Sequence, residues 1–224
     1  MTFHIIDHEQ GSIPWLRWRH DGIGGSDTPA LMGQNPWRSA KALFNEKAAP
    51  SKYGPAGPAP APKPVVADLF AVARTPQSPP KPPPPDRQYR SAASRGTALE
   101  PYARDLYNRH IDGDLQPMCL QSIDLPWQRA SLDGFCSATQ RVLEIKCGDK
   151  VYAHVADKRS VPSYYVGQLQ HILTVSGFAS IDFWVWLPGK PPLLLNVPRD
   201  EAYIAQMTAM QAAFWARVEA ARAG

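Results

Sequence analysis

Cysteine is scarce: Cys119, Cys136 and Cys147 are the three in a chain of 224 residues. An odd, widely spaced set supports neither a disulfide framework nor a Cys-x-x-Cys metal knuckle. Each thiol is therefore expected to pack as a small apolar group in a reducing, cytoplasmic setting. Long apolar runs are missing too. No stretch approaches the roughly 20 residues that span a bilayer. The opening "MTFHIIDHEQ" lacks the basic-then-apolar layout of a secretory leader. Neither a membrane contact nor export is expected. Charge of one sign is barely in excess, at +4 from 24 Lys and Arg against 20 Asp and Glu. The pI near 9.0 leans towards a polyanionic partner without requiring one. What is present is a 44% hydrophobic chain, long enough for one sizeable core.

Proline is abundant but uneven. More than half of the 24 prolines fall between Pro50 and Pro85. At that density a segment can sustain neither a helix nor a sheet ladder, so an extended, largely polyproline-II tether is expected. The N-terminal 49 residues show little strand pattern and are too few to fold alone. One domain over 1–224, interrupted by a flexible insertion at about 50–86, is therefore expected. Inside the tether lies the apolar island "VVADLFAVA" (65–73). Its "ADLF" resembles the acidic-Leu-Phe end of peptides that bind bacterial sliding clamps, without their opening glutamine. A clamp contact through 65–73 is one expectation, and Leu69 and Phe70 folding back on the body is the other.

Elsewhere the periodicity alternates between helix and strand. Ser26 or Asp27 can cap a short helix with Pro29 in its first turn and Gly33 at its end. Helices are predicted over 38–49, over 91–110 despite Pro101, over 149–159 and over 162–177. A closing helix over 199–222 would bury Tyr203, Met207, Met210, Phe214 and Val218. Strands are predicted over 119–125, 127–135 and 141–147 as an antiparallel meander. Two more, "IDFWVWL" and "PLLLNV", follow. Trp184 and Trp186 read as core of a strand buried on both faces, and His154 and His171 as structural or surface residues. This order predicts an α/β or α+β fold, a central mixed sheet flanked by helices.

The chemistry concentrates around "VLEIKC" (142–147). Alternation puts Leu143, Ile145 and Cys147 on one face and Glu144 and Lys146 on the other. Asp133 lies eleven residues before Glu144, which lets the next strand return beside it. Carboxylates so placed repel unless a cation lies between them, and Mg²⁺ favours such oxygen donors. Lys146 could then face a substrate phosphate. Glu100, on the preceding helix, could complete the set.

Asp133 with "LEIK" resembles the PD-(D/E)xK nuclease pattern, with Leu132 where the pattern's proline would stand. Three further segments, "WLRWRHDGIGGSD" (15–27), "RGTALEPYARDLY" (95–107) and "YYVGQLQHILTVSG" (164–177), follow in the order and approximate spacing of the lambda-exonuclease family, also called YqaJ-type viral recombinases. The resemblance covers the chain apart from the proline-rich arm. It implies a restriction-endonuclease-like core and a Mg²⁺-dependent exonuclease, with Mn²⁺ as a substitute and two ions per site. Such an enzyme digests linear duplex DNA from the 5′ end, for phage-type recombination in a bacterial host. It implies a homotrimer working with a single-strand annealing protein. Carried over residue by residue, it implies Glu100, Asp133, Glu144 and the Ile145 carbonyl as metal ligands, Lys146 as the catalytic lysine, and Gln168 facing the site from a helix. Arg19 and Ser26 would grip a 5′-terminal phosphate, with Ser131 beside them and Tyr164 one turn before Gln168. The residues alone leave other readings open. Arg19 could stack on Trp15 or Trp18, Gln168 and Gln170 could face solvent, and the chain could be an endonuclease or a non-catalytic DNA-binding scaffold on the same core.

Overall fold

Short alternating segments build the centre of the molecule. The computed structural model describes residues 3–54, 89, 91–111 and 113–224. In it β1 (Phe3–Ile6), β2 (Ile23–Gly24), β3 (Gln116–Ser122), β4 (Gln128–Cys136), β5 (Arg141–Lys146), β6 (Ser180–Val185) and β7 (Leu193–Pro198) form one sheet. The order is β1-β3-β4-β5-β6-β7, with β2 alongside β4. The meander β3-β4-β5 is antiparallel, as expected. β6 then pairs parallel to β5, which requires a crossover, supplied by α5 (Asp149–Lys158) and α6 (Ser163–Ser176). β7 closes the far edge antiparallel to β6. From residue 55 on, the proline-rich tether, with its apolar island, lies outside the described residues.

Helices cover both faces of the sheet. On one, Leu99, Ala103 and Tyr107 of α4 (Ala92–His110) pack against Leu143, Ile145 and Trp184. On the other, Leu169, Ile172 and Leu173 of α6 pack against Leu132, Phe135 and Phe183. Each such side chain taken from water contributes roughly 1.5–3 kcal/mol, so the two layers fix which face of β5 meets which helix. Alternation therefore sends Leu143 and Ile145 to α4, and Glu144 and Lys146 towards α6.

The N-terminal segment departs from expectation. It is not strand-poor filler but supplies edge strand β1, paired Phe3 to Ser122 through Ile6 to Cys119. It also supplies helix α1 (Ile13–His20) and β2. The α1 signal was present, since Ser12 accepts from the Trp15 amide and a proline stands in the first turn. β1 and β2 are too short for their own periodicity to register. A 3₁₀ turn (Gly25–Asp27) and α2 (Thr28–Leu31) follow, with neither Ser26 nor Asp27 making a side-chain cap to the helix. α3 (Ala40–Ala48) starts two residues later than predicted, capped by Ser39. β3 is shifted to Gln116–Ser122, because Ser122 Oγ accepts from the Leu125 amide and turns the chain there.

The last helix, α7 (Glu201–Ala223), buries Met207, Phe214 and Val218 as expected and adds Ile204, Gln211 and Trp215, leaving Met210 40% exposed. Polar contacts hold Gln211 inside. Gln211 Nε2 donates to Thr28 Oγ1 and His171 Nδ1, each at 2.9 Å, and Gln211 Oε1 accepts from Gln128 at 2.8 Å. His171 Nε2 lies 3.0 Å from the Arg129 carbonyl. A carbonyl only accepts, so the neutral imidazole protonated at Nε2 satisfies both neighbours. Burial agrees, lowering this histidine to about 4. Gln170, for which a solvent-facing position stood open, is buried too, donating to the Pro198 carbonyl and accepting from the Asp200 amide.

Candidate active site

β4 and β5 part where the acids stand. Their ladder pairs Gly134–Cys136 with Arg141–Leu143. One step further, Asp133 Oδ2 accepts the Ile145 amide at 2.7 Å, and the Asp133 carbonyl accepts from Arg104 Nε of α4 instead. A side chain thus replaces a backbone partner on each side of the fork, which opens the strands while the Ile145 amide and the Asp133 carbonyl both keep a partner. Glu144 lies on the α6 side with 2% exposure. Its Oε1 accepts from Lys146 Nζ and from Gln168 Nε2, the latter at 2.6 Å. Its Oε2 is buried and has no partner among the described residues. Lys146 Nζ also lies 4.9 Å from the Tyr165 ring. From α4, Glu100 Oε1 accepts from Arg104 NH2 at 2.6 Å.

The electrostatics of this group are unbalanced. Burial, then the Asp133 and Glu100 charges, push the Glu144 carboxyl well above the usual range, against the pull of Lys146. Burial and Asp133 raise Glu100 as well, and burial raises Asp133. For Lys146 the carboxylates outweigh burial, so its ammonium is held more firmly charged. Three acids face two cations, Lys146 and Arg104, and one buried oxygen is unmatched.

Among the described residues no three acidic, imidazole or thiol side chains already converge on one point. The acids engage Arg104, the Ile145 amide, Lys146 and Gln168 instead. Even so, the donor set is all oxygen, the acids repel one another, and Glu144 Oε2 lacks a partner. Those are the conditions a hard divalent cation relieves, so the residues fit such an ion.

A second cluster forms the opposite wall. Arg19, in the last turn of α1, donates to Ser26 Oγ at 2.6 Å while its guanidinium lies 4.6 Å from the Trp15 ring. The stacking reading of Arg19 holds, with Trp15 as the ring, and it leaves the guanidinium able to reach the serine. Trp15 Nε1 donates to Ser131 Oγ at 2.8 Å. Beneath Ser26, Asp27 joins Lys47 and Arg38, each at 3.1 Å, and accepts the Gly24 amide. Gly25 lets this turn approach α6, because a Cβ there would lie 3.3 Å from Gln168 Cγ.

The two walls enclose one cleft of about 890 Å³. It is lined by every residue singled out in the sequence: Glu100, Asp133, Glu144, Ile145, Lys146, Gln168, Arg19, Ser26, Ser131 and Tyr164. Sequence reasoning missed three contributors. Arg104 was legible as an i,i+4 partner of Glu100. The buried Asp27–Lys47 pair, twenty residues apart, carried no local signal. Trp37, a cleft residue 70% exposed, stands alone in "NPW".

Comparison with known proteins adds an independent line. The YqaJ-like viral recombinase domain matches residues 14–179, a span holding every one of those cleft residues. A protein known from two isolates of African swine fever virus is 27% identical over 209 residues, covering 79% of this chain and 49% of that protein. The chain thus spans about half the length of those curated relatives. The fold is similar to an alkaline exonuclease from Laribacter hongkongensis, with TM-score 0.68 and 19% identity over 93% of both chains. The complex of that exonuclease with dAMP gives 0.67. A phage-related exonuclease from Haemophilus somnus matches at 0.51 and 12% identity, over 88% of this chain and 95% of that one. At such identities these structures establish the fold.

Proposed function

The chain belongs to the YqaJ-like viral recombinase domain family, and from that premise we propose that it is a metal-dependent deoxyribonuclease. Its substrate would be linear double-stranded DNA, shortened from a 5′-phosphorylated end to leave 3′ single-stranded tails. One observation carries the reading: Glu144, buried between acids and Lys146, keeps one carboxylate oxygen without a partner. A buried charge left unmatched costs stability, and a site for a cation accounts for it.

In this reading Glu100, Asp133, Glu144 and the Ile145 carbonyl hold Mg²⁺, with Mn²⁺ as a substitute and two ions per site. When bound, the ions polarise the scissile phosphate and acidify a water. The remaining roles belong to the chain. Gln168 pins Glu144 Oε1 and so fixes the orientation of the carboxylate. Lys146, anchored by Glu144 and Tyr165, offers its ammonium to the phosphate oxygens as charge develops there. Arg19 presents a two-pronged donor to a terminal phosphate, joined by the Ser26 hydroxyl and flanked by Ser131 and Tyr164. A pocket that only a terminal phosphate fills sets polarity, because it places the neighbouring linkage over the acids. A homotrimeric ring, a single-strand annealing partner and a phage setting in a bacterial cytoplasm complete the proposal. No helix among the described residues is long and apolar enough to cross a membrane.

The test uses linear duplexes with 5′-phosphate or 5′-hydroxyl ends, incubated with Mg²⁺. The phosphorylated strand should shorten from its 5′ end, Arg19→Ala should erase that preference, and covalently closed circles should stay intact. Nicking of the circles would instead mark an endonuclease, and full activity in Glu144→Ala would sink the nuclease altogether.

A further inference from the structure

Trp37 is the most exposed large apolar side chain among the described residues, at 70%. An indole so exposed usually belongs to a loose loop, yet here the backbone around it is fixed. Asn35 Oδ1 accepts the amides of Trp37 and Arg38 at 2.8 and 3.0 Å. The Gln34 and Asn35 amides both donate to the Pro29 carbonyl, and Gln34 Oε1 accepts from the Tyr203 hydroxyl at 2.8 Å. On the far side Arg38 is bridged to Asp27 and Glu46. The chain therefore holds an apolar ring in water deliberately, at the wall of the cleft that contains the acids.

The ring is also the outer end of an aromatic row. It meets Tyr164 edge to face with centroids 5.0 Å apart, Tyr164 lies 4.7 Å from Tyr165, and Tyr165 carries Lys146 over its ring at 4.9 Å. Four cations, Arg19, Arg129, Lys146 and Lys150, also line the cleft, beside the acids Glu100, Asp133, Glu144 and Asp149. Cations that suit phosphates beside an aromatic face that suits bases form the combination that holds a single strand.

We infer that Trp37, backed by Tyr164, is a stacking platform for one unpaired nucleobase of the strand that enters the cleft. The inference rests on reading the cleft as a DNA site. It names what the phosphate contacts leave open, namely where the base goes. Stacking needs a π-face and no particular hydrogen-bonding edge, so the platform accepts any of the four bases.

The test is binding rather than cleavage. Short 5′-phosphorylated single strands, each carrying an abasic residue at a different position, are titrated by fluorescence anisotropy in EDTA. One abasic position should weaken binding to the wild-type protein roughly tenfold, the size expected for one stacked base. Trp37→Ala should lose the same factor on the intact strand and become indifferent to that position, while Trp37→Phe keeps most of the affinity. A flat abasic series in the wild type overturns the inference. So does wild-type affinity in Trp37→Ala, or an affinity loss in Trp37→Ala that leaves the abasic dependence in place. The underlying reading fails in a different way. A wild-type protein that neither binds the strands nor shortens a duplex removes both proposals, whereas one that shortens a duplex with a flat abasic series removes only the platform.

Discussion

Asp27 and Glu144 are both carboxylates with almost no exposed surface, 3% and 2%; Glu144 lines the cleft, while Asp27 lies next to Ser26 of the opposite wall, outside the lining. Their surroundings push them in opposite directions. Burial would raise Asp27, but the Lys47 and Arg19 charges, the Gly24 amide and Arg38 outweigh it and bring its carboxyl down to about 2. Burial also raises Glu144, and there the nearby charges of Asp133 and Glu100 add to the rise while only Lys146 opposes it. Lys47 is lowered by its own burial yet keeps its bridge to Asp27 and its bond to the Arg19 carbonyl. The first cluster is complete as it stands. The second is short of positive charge, a shortage that the proposed cation would relieve.

Substitutions can break that contrast. Glu144→Gln, an isosteric change that removes one charge from a repelling group, should reduce Mg²⁺-dependent DNA shortening by about 10³-fold or more. Its melting temperature should stay level or rise. Asp27→Ala should do the reverse. It leaves Lys47 buried without its partner, which costs about 3–5 kcal/mol in urea unfolding, and part of that loss should return in the double variant with Lys47→Met. A Glu144→Gln protein that melts as far below wild type as Asp27→Ala would erase the distinction between the two sites.

His171 sharpens the comparison by a third solution, in which the buried group stays neutral. Its folded value of about 4 lies below the ordinary 6.5. The unfolded chain therefore takes up the proton first as pH falls. The contribution is complete above pH 6.5 and is lost between about 6.5 and 4, on the order of 3 kcal/mol. Urea midpoints at pH 7 and pH 4.5 should show the loss, and His171→Gln should shrink the difference. The smallest effect expected is from the ion itself. Saturating Mg²⁺ should raise the wild-type melting temperature by a few degrees, as for any ligand that binds only the folded state. In Asp133→Asn the rise should vanish. An equal rise in both proteins would place the ion elsewhere.

Much of the site was legible because its signals are local. The alternation in "VLEIKC" faced Glu144 and Lys146 together, and the short return from Asp133 put it on the adjoining strand. α6 announced itself by Leu169, Ile172 and Leu173 and stopped at Gly177, whose φ of +73° suits glycine. The illegible parts depend on partners far along the chain. β1 is four residues whose ladder lies on β3, more than a hundred positions away. The stripe of α7 was read only in part, because Gln211 is buried for its hydrogen bonds and hydrophobic periodicity has no means of registering a satisfied amide. Lys47 was passed over for a related reason: a charged residue reads as surface until its buried partner is seen.

The sequence by itself determined the alternation that faces Glu144 and Lys146 one way, the order of helices and strands, and the kinds of donors available to a cleft. Those are properties of neighbours within a few residues, set by backbone geometry and side-chain type. Only the tertiary structure decided that the β4–β5 ladder opens at Asp133, that Glu144 keeps one oxygen unmatched while Asp27 is fully paired, and that Trp37 stands exposed at the cleft wall. Each of these depends on burial and charge contributed by α1, α3, α4 and α6 together, and the free energy of a buried charge is fixed by everything around it rather than by the residues beside it in the chain.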